Sequence, residues 1–301
     1  MKKIALATLL AATTMVASAQ VTVYGRLSEF VDSTKTGTTK VNSLVNDSSR
    51  IGVKVEEKLG AGLTARVILD TSVAADDPKA GSTTQFGDRQ STVGISSKVG
   101  SIDLGRKEHS EYITMKNADP FAGATYASVS PDVINIRDKR MGDGTFLATG
   151  FGPVAITYDR SMYTAPATLE ATSWSLGGKL GPVTAAVARF ASGTDYTNVV
   201  TLAGKLGGLE LSTIQSEDKA GTVATKGHLY GATLPVSNMV SLKGSYATKT
   251  GLAAGEVKAY NVGFNYNFSK RTNVLVAYRN VNAGGTANDV KQFGIGLAHS
   301  F

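Results

Sequence analysis

The stretch Val257-Lys-Ala-Tyr-Asn-Val-Gly-Phe-Asn-Tyr-Asn-Phe268 carries an aromatic or aliphatic residue at every even position from Tyr260 to Phe268, with asparagine or glycine between them. Successive side chains of a β-strand point to opposite faces, so this period of two predicts a strand with one apolar face. The last eleven residues of the chain alternate in the same way, and helical periodicity is weak throughout. The pattern predicts an all-β protein.

Short connections rich in Gly, Pro or Asn punctuate these strands, and longer polar segments alternate with them. If the short turns lie at one end of the molecule and the long loops at the other, seven turns and eight loops connect sixteen strands. Both termini then lie at the turn end, and an even strand number closes an antiparallel barrel. The turns fall at residues 59–63, 99–101, 150–153, 180–182, 206–209, 235–238 and 269–271; the longer segments include 71–86, 162–171, 192–197, 218–225, 250–256 and 282–289.

The composition is compatible with a membrane barrel. The 301 residues are 42% hydrophobic, and the mean hydropathy of −0.03 is what alternating strands give in either a soluble protein or a transmembrane barrel. No apolar run of about 18 residues follows residue 20, so no membrane-spanning helix is expected. A soluble sandwich is the alternative, but the aromatic-rich strand faces need apolar surroundings. We therefore predict a transmembrane antiparallel β-barrel of sixteen strands, because only a closed barrel leaves no open edge in lipid.

Residues 1–19 have the features of a secretory signal peptide. Lys2 and Lys3 precede an apolar stretch, and Ala17-Ser18-Ala19 forms a small-residue cleavage site. A buried N-terminal helix is the alternative reading. Cleavage after Ala19 would leave residues 20–301 as a single barrel domain and, by removing two lysines, lower the formal net charge from +7 to +5. The remaining charge forms no basic run, so nucleic acid is not an expected partner.

One connection, residues 108–140, breaks the regular spacing. It contains acids, Gly and Pro without strong alternation, and loops of this length in a compact domain are usually functional or disordered. Since a polar lumen accepts irregular backbone that lipid would not, we predict that this third long loop folds inward and narrows the channel. An extracellular flap is the alternative.

The inward face of the barrel is predicted to carry more cations than anions. If Ile51, Val53 and Val55 face lipid, the intervening positions face the lumen. Fixed positive charge at a narrow place attracts anions. The inward-facing charged residues assigned in this way are Arg50, Lys54, Glu56, Arg66, Asp70, Lys243 and Arg279.

Several motifs of the chain resemble those of the Gram-negative general porins, in particular the trimeric sixteen-stranded porins of beta-proteobacteria. The most specific block is Ser49-Arg-Ile-Gly-Val-Lys-Val-Glu-Glu-Lys-Leu-Gly-Ala-Gly-Leu-Thr-Ala65. The others are Val21-Thr-Val-Tyr-Gly25, Arg89-Gln-Ser-Thr-Val-Gly-Ile95, Gly100-Ser-Ile-Asp-Leu-Gly-Arg106, Asp119-Pro-Phe121 and the ending Gly294-Ile-Gly-Leu-Ala-His-Ser-Phe301. The terminal Phe301 is similar to the assembly signal of outer-membrane proteins.

The resemblance implies a water-filled channel in which arginines on the barrel wall oppose acids on the third loop. Arg50 is the wall residue on which motif and alternation agree, whereas strict alternation places Arg106 on the lipid side. Gln90 stands where some relatives have another arginine. The full set of expected wall residues is Arg50, Lys54, Arg66, Gln90, Arg106 and Arg140, and the expected loop acids are Glu108, Glu111, Asp119, Asp132 and Asp138.

The expected function is a general diffusion porin of the outer membrane that is mildly anion-selective. Its expected partners are two further copies in a homotrimer, outer-membrane lipid and lipopolysaccharide, and small hydrophilic solutes and ions. The alternatives are a substrate-specific channel, a non-conducting barrel and an outer-membrane enzyme. An enzyme is not expected, because only His109, His228 and His299 are available as bases and no nucleophile motif is present. We expect no catalytic residue, metal or cofactor.

Overall fold

The computed structural model describes residues 19–76, 85–122, 126–136, 138–162, 170–253, 255–283 and 289–301. Residues 1–18 of the predicted signal peptide lie outside these ranges, as do the inner parts of the predicted loops 71–86, 162–171 and 282–289. Among the described residues, no helix has the length and apolar character needed to cross a membrane.

Seventeen antiparallel strands form one continuous sheet in the described part of the chain. They are β1 Gln20–Thr36, β2 Thr39–Asn46, β3 Arg50–Gly60, β4 Leu63–Ser72, β5 Gln90–Ser96, β6 Gly100–Glu108, β7 Arg140–Phe151, β8 Val154–Ser161, β9 Ala171–Leu180, β10 Val183–Ser192, β11 Asp195–Leu206, β12 Leu209–Ala220, β13 Val223–Pro235, β14 Val240–Thr250, β15 Val257–Asn267, β16 Thr272–Asn282 and β17 Val290–Ser300.

The predicted sixteen-stranded closed barrel is confirmed. Strands β2 and β3 occupy one position in the wall, because the second half of β1 pairs with β2 and its first half pairs with β3. Residues 47–49 interrupt this position. The pairing of β1 with β17 closes the barrel, so the wall is continuous around its circumference.

The closing seam extends to the last residue. Gly25 and Phe301 exchange two backbone hydrogen bonds of 3.1 Å. The Phe301 ring lies over Gly25, where a Cβ atom would come within 2.4 Å of the ring. The contact therefore requires glycine at position 25 and joins the two ends of the chain.

All seven predicted short turns are confirmed, and they define the turn end of the barrel together with Gln20 and Phe301. The opposite end is the loop end. The prediction of long loops at 192–197 and 218–225 is wrong, because the flanking strands continue to two-residue turns. Gly193 and Gly221 adopt φ angles of 58° and 59° there, a left-handed conformation that closes a tight turn.

The long connection between β6 and β7 lies inside the barrel, as predicted. It contains helix α1 (Ser110–Ala118) and the short helix α2 (Ser130–Val133). Helix α1 contacts β8 to β12, and α2 contacts β13 to β15. The sequence did not predict either helix.

An apolar core joins the loop to the wall. Met115 of α1 and Val133 of α2 are fully buried with inward-facing residues of the wall such as Ile214 and Leu229. The assignment of every apolar wall residue to lipid is therefore wrong for this part of the wall. These side chains face inward because the loop, rather than water, covers them.

Wall glycines provide the space that the loop occupies. A Cβ atom at Gly231 would lie 2.5 Å from the Pro120 ring, and one at Gly263 would lie 2.8 Å from the Phe121 ring. Gly294 lies under Tyr126 in the same way. The loop thus rests directly on the backbone of β13, β15 and β17.

Replacing Gly231 by Ala is expected to destabilise the protein by about 1–3 kcal/mol, the usual cost of overpacking, because Pro120 must move. Gly244→Ala on β14 is the matched control, since the nearest atom to its Cβ would be the Asn261 carbonyl oxygen at 3.4 Å. The measurement is urea unfolding in detergent followed by Trp174 fluorescence. Equal unfolding free energies for the two variants would contradict this account of the glycines.

Candidate functional site

A cavity of about 600 Å³ lies inside the barrel between α1 and the wall formed by β1 and β3 to β7. Alternation on β3 and β4 points Arg50, Arg66 and Asp70 into it. Helix α1 contributes its uncovered side from across the lumen. The lining residues are Tyr24, Arg26, Ser48, Arg50, Arg66, Ile68, Asp70, Arg89, Gln90, Asp103, Lys107, Glu108, Tyr112, Ile113, Lys116, Ala122, Lys139 and Arg140.

The cavity has three carboxylates, and two of them, Asp70 and Asp103, each contact two basic side chains. Asp70 lies 3.7 Å from the Nε atoms of both Arg50 and Arg89. Asp103 accepts two hydrogen bonds of 2.8 Å from Arg66 and a third, of 2.6 Å, from the Lys107 ammonium. Such charge-assisted hydrogen bonds hold long side chains in one orientation.

The third carboxylate, Glu108, repeats the arrangement. It accepts a hydrogen bond of 3.1 Å from Arg140 Nη2 and another from Lys116 of α1. Glu108 therefore ties the wall to the helix across one edge of the cavity.

The cavity carries an excess of positive charge. Its lining has eight basic residues and three acidic ones, an excess of five. Burial first, and then the neighbouring charge of Arg140, lowers the pKa of both Lys139 and Arg89. The buried Nε atoms of Arg89 and Arg140 have no hydrogen-bond acceptor in the described part of the chain. The excess positive charge of the site can therefore attract anions.

The opposite side of α1 carries two buried titratable groups. His109 caps the helix: its Nδ1 accepts the Tyr112 backbone N–H at 3.3 Å, so Nε2 holds the proton and donates it to the Asp138 carbonyl. Burial lowers the pKa of His109 to about 4. Burial, and secondarily Asp218 on β12, raises the pKa of Glu111 to about 8. Both groups are therefore largely uncharged at neutral pH.

The comparison with protein families matches residues 5–301 to the Gram-negative porin family. The chain belongs to the Gram-negative porins. Membership and fold together imply an outer-membrane location and a channel rather than an enzyme. A search of curated protein sequences gives no match.

Solved structures share the fold of this porin at low sequence identity. The anion-selective porin from Comamonas acidovorans has a TM-score of 0.77 and 22% identity over 94% of this chain and 100% of its own. Salmonella typhi OmpF, solved in complex with daunomycin, has a TM-score of 0.77 and 17% identity over 93% of this chain and 97% of its own. The trimer form of OmpT from Vibrio cholerae has a TM-score of 0.73 and 13% identity over 94% of this chain and 100% of its own.

The structure brings some of the expected wall residues together and leaves others apart. Arg50, Arg66, Gln90 and Arg140 line the cavity. Lys54 lies outside the cavity lining and pairs with Glu56 at 2.8 Å. Arg106 points outward, and its Nε donates a hydrogen bond of 2.8 Å to the Asp88 backbone carbonyl.

Of the expected loop acids, only Glu108 lines the cavity. Glu111 is buried behind α1. Asp119 accepts hydrogen bonds from Ser128 and Ser130, and Asp132 pairs with Arg279 of β16. Asp138 contributes its backbone carbonyl to His109. These four acids anchor the loop or lie outside the lining of this cavity.

Sequence reasoning missed several cavity residues. Asp103 and Lys107 lie on the inward face of β6, at the positions that alternate with Ile102, Leu104 and Arg106. The alternation of Ile102 and Leu104 could have found Asp103. Nothing in the sequence pattern marks Arg89, which precedes β5, or Lys116, which lies on an unpredicted helix.

The other histidines lie away from the cavity. His228 lies within β13 and contacts Gln215; His299 contacts Thr272 across the β16–β17 pair. Within the described ranges, no cluster of three His, Asp or Glu side chains could hold a metal ion.

The docking of α1 is expected to weaken as pH rises from 6.5 to 8. The raised pKa of Glu111 means that the docked loop binds a proton more tightly than the released loop. Docking is therefore favoured below pH 6.5, and the free energy of docking weakens by about 2 kcal/mol between pH 6.5 and 8. His109 has the opposite effect, but only below its ordinary pKa of about 6.5. The other acids facing this region are Asp218 and Asp159, the latter accepting the Ser110 N–H.

Hydrogen exchange of the α1 amides at pH 6.5 and 8.5, corrected for intrinsic rates, measures this effect. Glu111→Gln should remove the pH dependence, whereas Glu57→Gln, on β3, should retain it. A dependence that persists in Glu111→Gln would assign it to another group.

Proposed function

We propose that this porin is a general diffusion channel that favours anions. The observation that supports the proposal is the cavity between α1 and the wall, where eight basic residues face three acids. The loop packs against β11 to β16 through an apolar core, which narrows the lumen on that side.

Passage through the site requires no chemical step. A small anion entering the cavity exchanges part of its hydration for the ammonium and guanidinium groups that line it, and a cation meets a repulsive field. Asp70, Asp103 and Glu108 hold the basic side chains in place without neutralising them. Larger solutes are excluded because the distance between α1 and the facing wall limits the width of the passage.

The lining favours general diffusion over recognition of one sugar. Among the described residues that line the cavity, only Tyr24 and Tyr112 are aromatic. Stacking platforms for a sugar require a series of aromatic faces, which this lining does not provide. Charge and size are then the properties by which solutes are sorted.

Neutralising the arginine cluster is expected to weaken the preference for anions. The wild-type protein in a planar bilayer should conduct and prefer chloride across a KCl gradient. In the triple variant Arg50→Gln, Arg89→Gln, Arg140→Gln, the ratio of chloride to potassium permeability should fall by about threefold or more, since the cavity loses three of its five excess charges. The reversal potential measures this ratio.

The matched control is Arg106→Gln, Arg160→Gln, Arg271→Gln, which removes three arginines outside the cavity lining. It should retain chloride preference, and both effects should diminish at high salt. Cation preference in the wild type would keep the channel and overturn the charge assignment. A folded wild-type protein that does not conduct would overturn the channel.

We also infer a homotrimer whose outer faces contact outer-membrane lipid, including lipopolysaccharide. Exposed outward side chains such as Val31, Val93 and Ile295 form an apolar band around the barrel, and bands of this kind meet lipid or another subunit. The trimer form of OmpT supports three copies. A signal peptide cleaved after Ala19 and an assembly role for Phe301 at the closing seam belong to the same proposal.

Native mass spectrometry of the protein extracted from membranes should give three times the mass of residues 20–301. Conductance should then appear in groups of three equal steps. A monomeric mass together with single steps would contradict the trimer, and a subunit mass that includes residues 1–19 would contradict the cleavage.

A further inference from the structure

Both sides of the charged cavity are positive, although they carry very different numbers of charges. The wall side consists of β1, β3 to β7 and the residues that directly precede β5 and β7. It carries seven of the eight basic residues and all three acids of the lining, an excess of four positive charges. The facing side is helix α1, where the one charged residue of the described lining is Lys116. The passage therefore runs between two positive surfaces.

Lys116 is held in the cavity by neighbours on the wall and on its own helix. Its ammonium donates a hydrogen bond to Glu108 and lies 5.5 Å from the centre of the Tyr112 ring. Residues four apart on a helix share a face, so Tyr112 and Lys116 face the wall together. Lys116 also lies in the last turn of α1, where the helix dipole stabilises a cation. The side chain remains 29% exposed, so a solute in the cavity can meet its charge.

The acids of α1 and the following loop do not counter Lys116. Glu111 is buried on the opposite side of α1 and is only 5% exposed. Asp119 is bonded to hydroxyl groups of the loop, and Asp132 is paired with an arginine of β16. Neither these three nor Asp138 belong to the cavity lining. Among the described residues that line the cavity, the helix side therefore offers a solute a cation and no carboxylate.

The position of this cation determines how the passage treats a zwitterion. A zwitterion that turns its carboxylate toward the wall arginines directs its ammonium toward α1, where it meets Lys116. The attraction at one end is then offset by repulsion at the other, whereas an anion is attracted by both sides. Repulsion of one ligand class is a common source of specificity in binding sites.

We propose that Lys116 is a specificity-determining residue that denies zwitterions the advantage given to anions. The channel then sorts small solutes by net charge, so it favours carboxylates over amino acids of the same size. This inference rests on the proposed anion-favouring channel and specifies its substrate class as anions that carry no cationic group.

The experiment measures tracer exchange of three four-carbon solutes across proteoliposomes that contain the mature protein. The anion is γ-hydroxybutyrate, the zwitterion is γ-aminobutyrate, and the neutral solute is γ-hydroxybutyramide, an uncharged isomer of the zwitterion. Equal concentrations on both sides prevent a membrane potential from forming. In the wild type, the anion should exchange faster than the amide, and the zwitterion should exchange no faster than the amide.

Two charge reversals separate the side of the charge from its amount. Lys116→Glu gives α1 a carboxylate that faces the positive wall, so the ratio of zwitterion to amide exchange should rise about threefold or more. Lys107→Glu is the matched control, because Lys107 also contacts a cavity acid, Asp103, and each substitution lowers the excess charge by two. Both sides stay positive in the control, so its zwitterion ratio should stay close to that of the wild type. The ratio of anion to amide exchange should fall to a similar extent in both variants.

Circular dichroism and heat-modifiable gel mobility verify that each variant is folded. If Lys116→Glu does not fold because its carboxylate lies next to Glu108, Lys116→Gln and Lys107→Gln replace the pair. The zwitterion ratio should then rise about twofold in Lys116→Gln and remain unchanged in Lys107→Gln.

Three results would overturn the assignment of Lys116. The first is a wild type that exchanges the zwitterion faster than the amide. The second is an equal rise of the zwitterion ratio in both variants, which would make net charge the cause. The third is faster exchange of all three solutes in Lys116→Glu at an unchanged zwitterion ratio, which would show that Lys116 only sets the width of the passage.

Failure of the proposed channel gives different results. Absence of amide exchange in the folded wild type would overturn the channel and this inference with it. Equal wild-type exchange of the anion and the amide would overturn the anion preference on which the inference rests.

Discussion

The hydrogen bonding of every strand edge is the constraint on which this structure depends. Lipid offers no partner to a backbone N–H or C=O group, so the sheet must close. The β1–β17 pairing achieves this, and the Gly25–Phe301 contact extends it to the last residue. Closure fixes the register, and register decides which side chains meet lipid and which meet the lumen, because a slip of one residue would exchange the two faces.

A closed wall of this size encloses more space than its own side chains fill, and the third loop divides that space. On one side, Met115 and Val133 pack against Ile214 and Leu229 to form a core of ordinary apolar character. On the other side, α1 faces the charged cavity across water. The same helix therefore belongs to a packed interior and to a polar passage. Gly231 and Gly263 make this possible, since they let the loop approach the wall backbone.

The sequence predicts the parts of this arrangement that follow from local pattern. Alternation and turn chemistry give the strands, the sixteen positions and the inward direction of Arg50 and Arg66. The inward position of the loop follows from its length and polarity. These features depend on neighbouring residues only, so one sequence is sufficient to find them.

The remaining features depend on irregularity or on tertiary packing. Alternation along β6 turns Lys107 inward and leaves Arg106 outside, although the motif favoured Arg106. Arg89 reaches Asp70 from outside a strand. The burial of Glu111 and the inward direction of Ile214 arise only when the loop packs against the wall. No period in the sequence records such a contact.

The three carboxylates of the cavity explain how a cluster of cations can be both stable and selective. Arginines placed together without acids would repel one another and turn toward water. With one carboxylate for each cation, the side chains would be held but the field across the passage would vanish. Asp70, Asp103 and Glu108 each contact two cations, so each trio retains one positive charge. Charge-assisted hydrogen bonds fix the trios of Asp103 and Glu108, and ion pairs of 3.7 Å form the trio of Asp70. Under the proposed function, the acids contribute to anion preference by holding the cations beside the passage, and their removal would loosen the cluster that they partly neutralise.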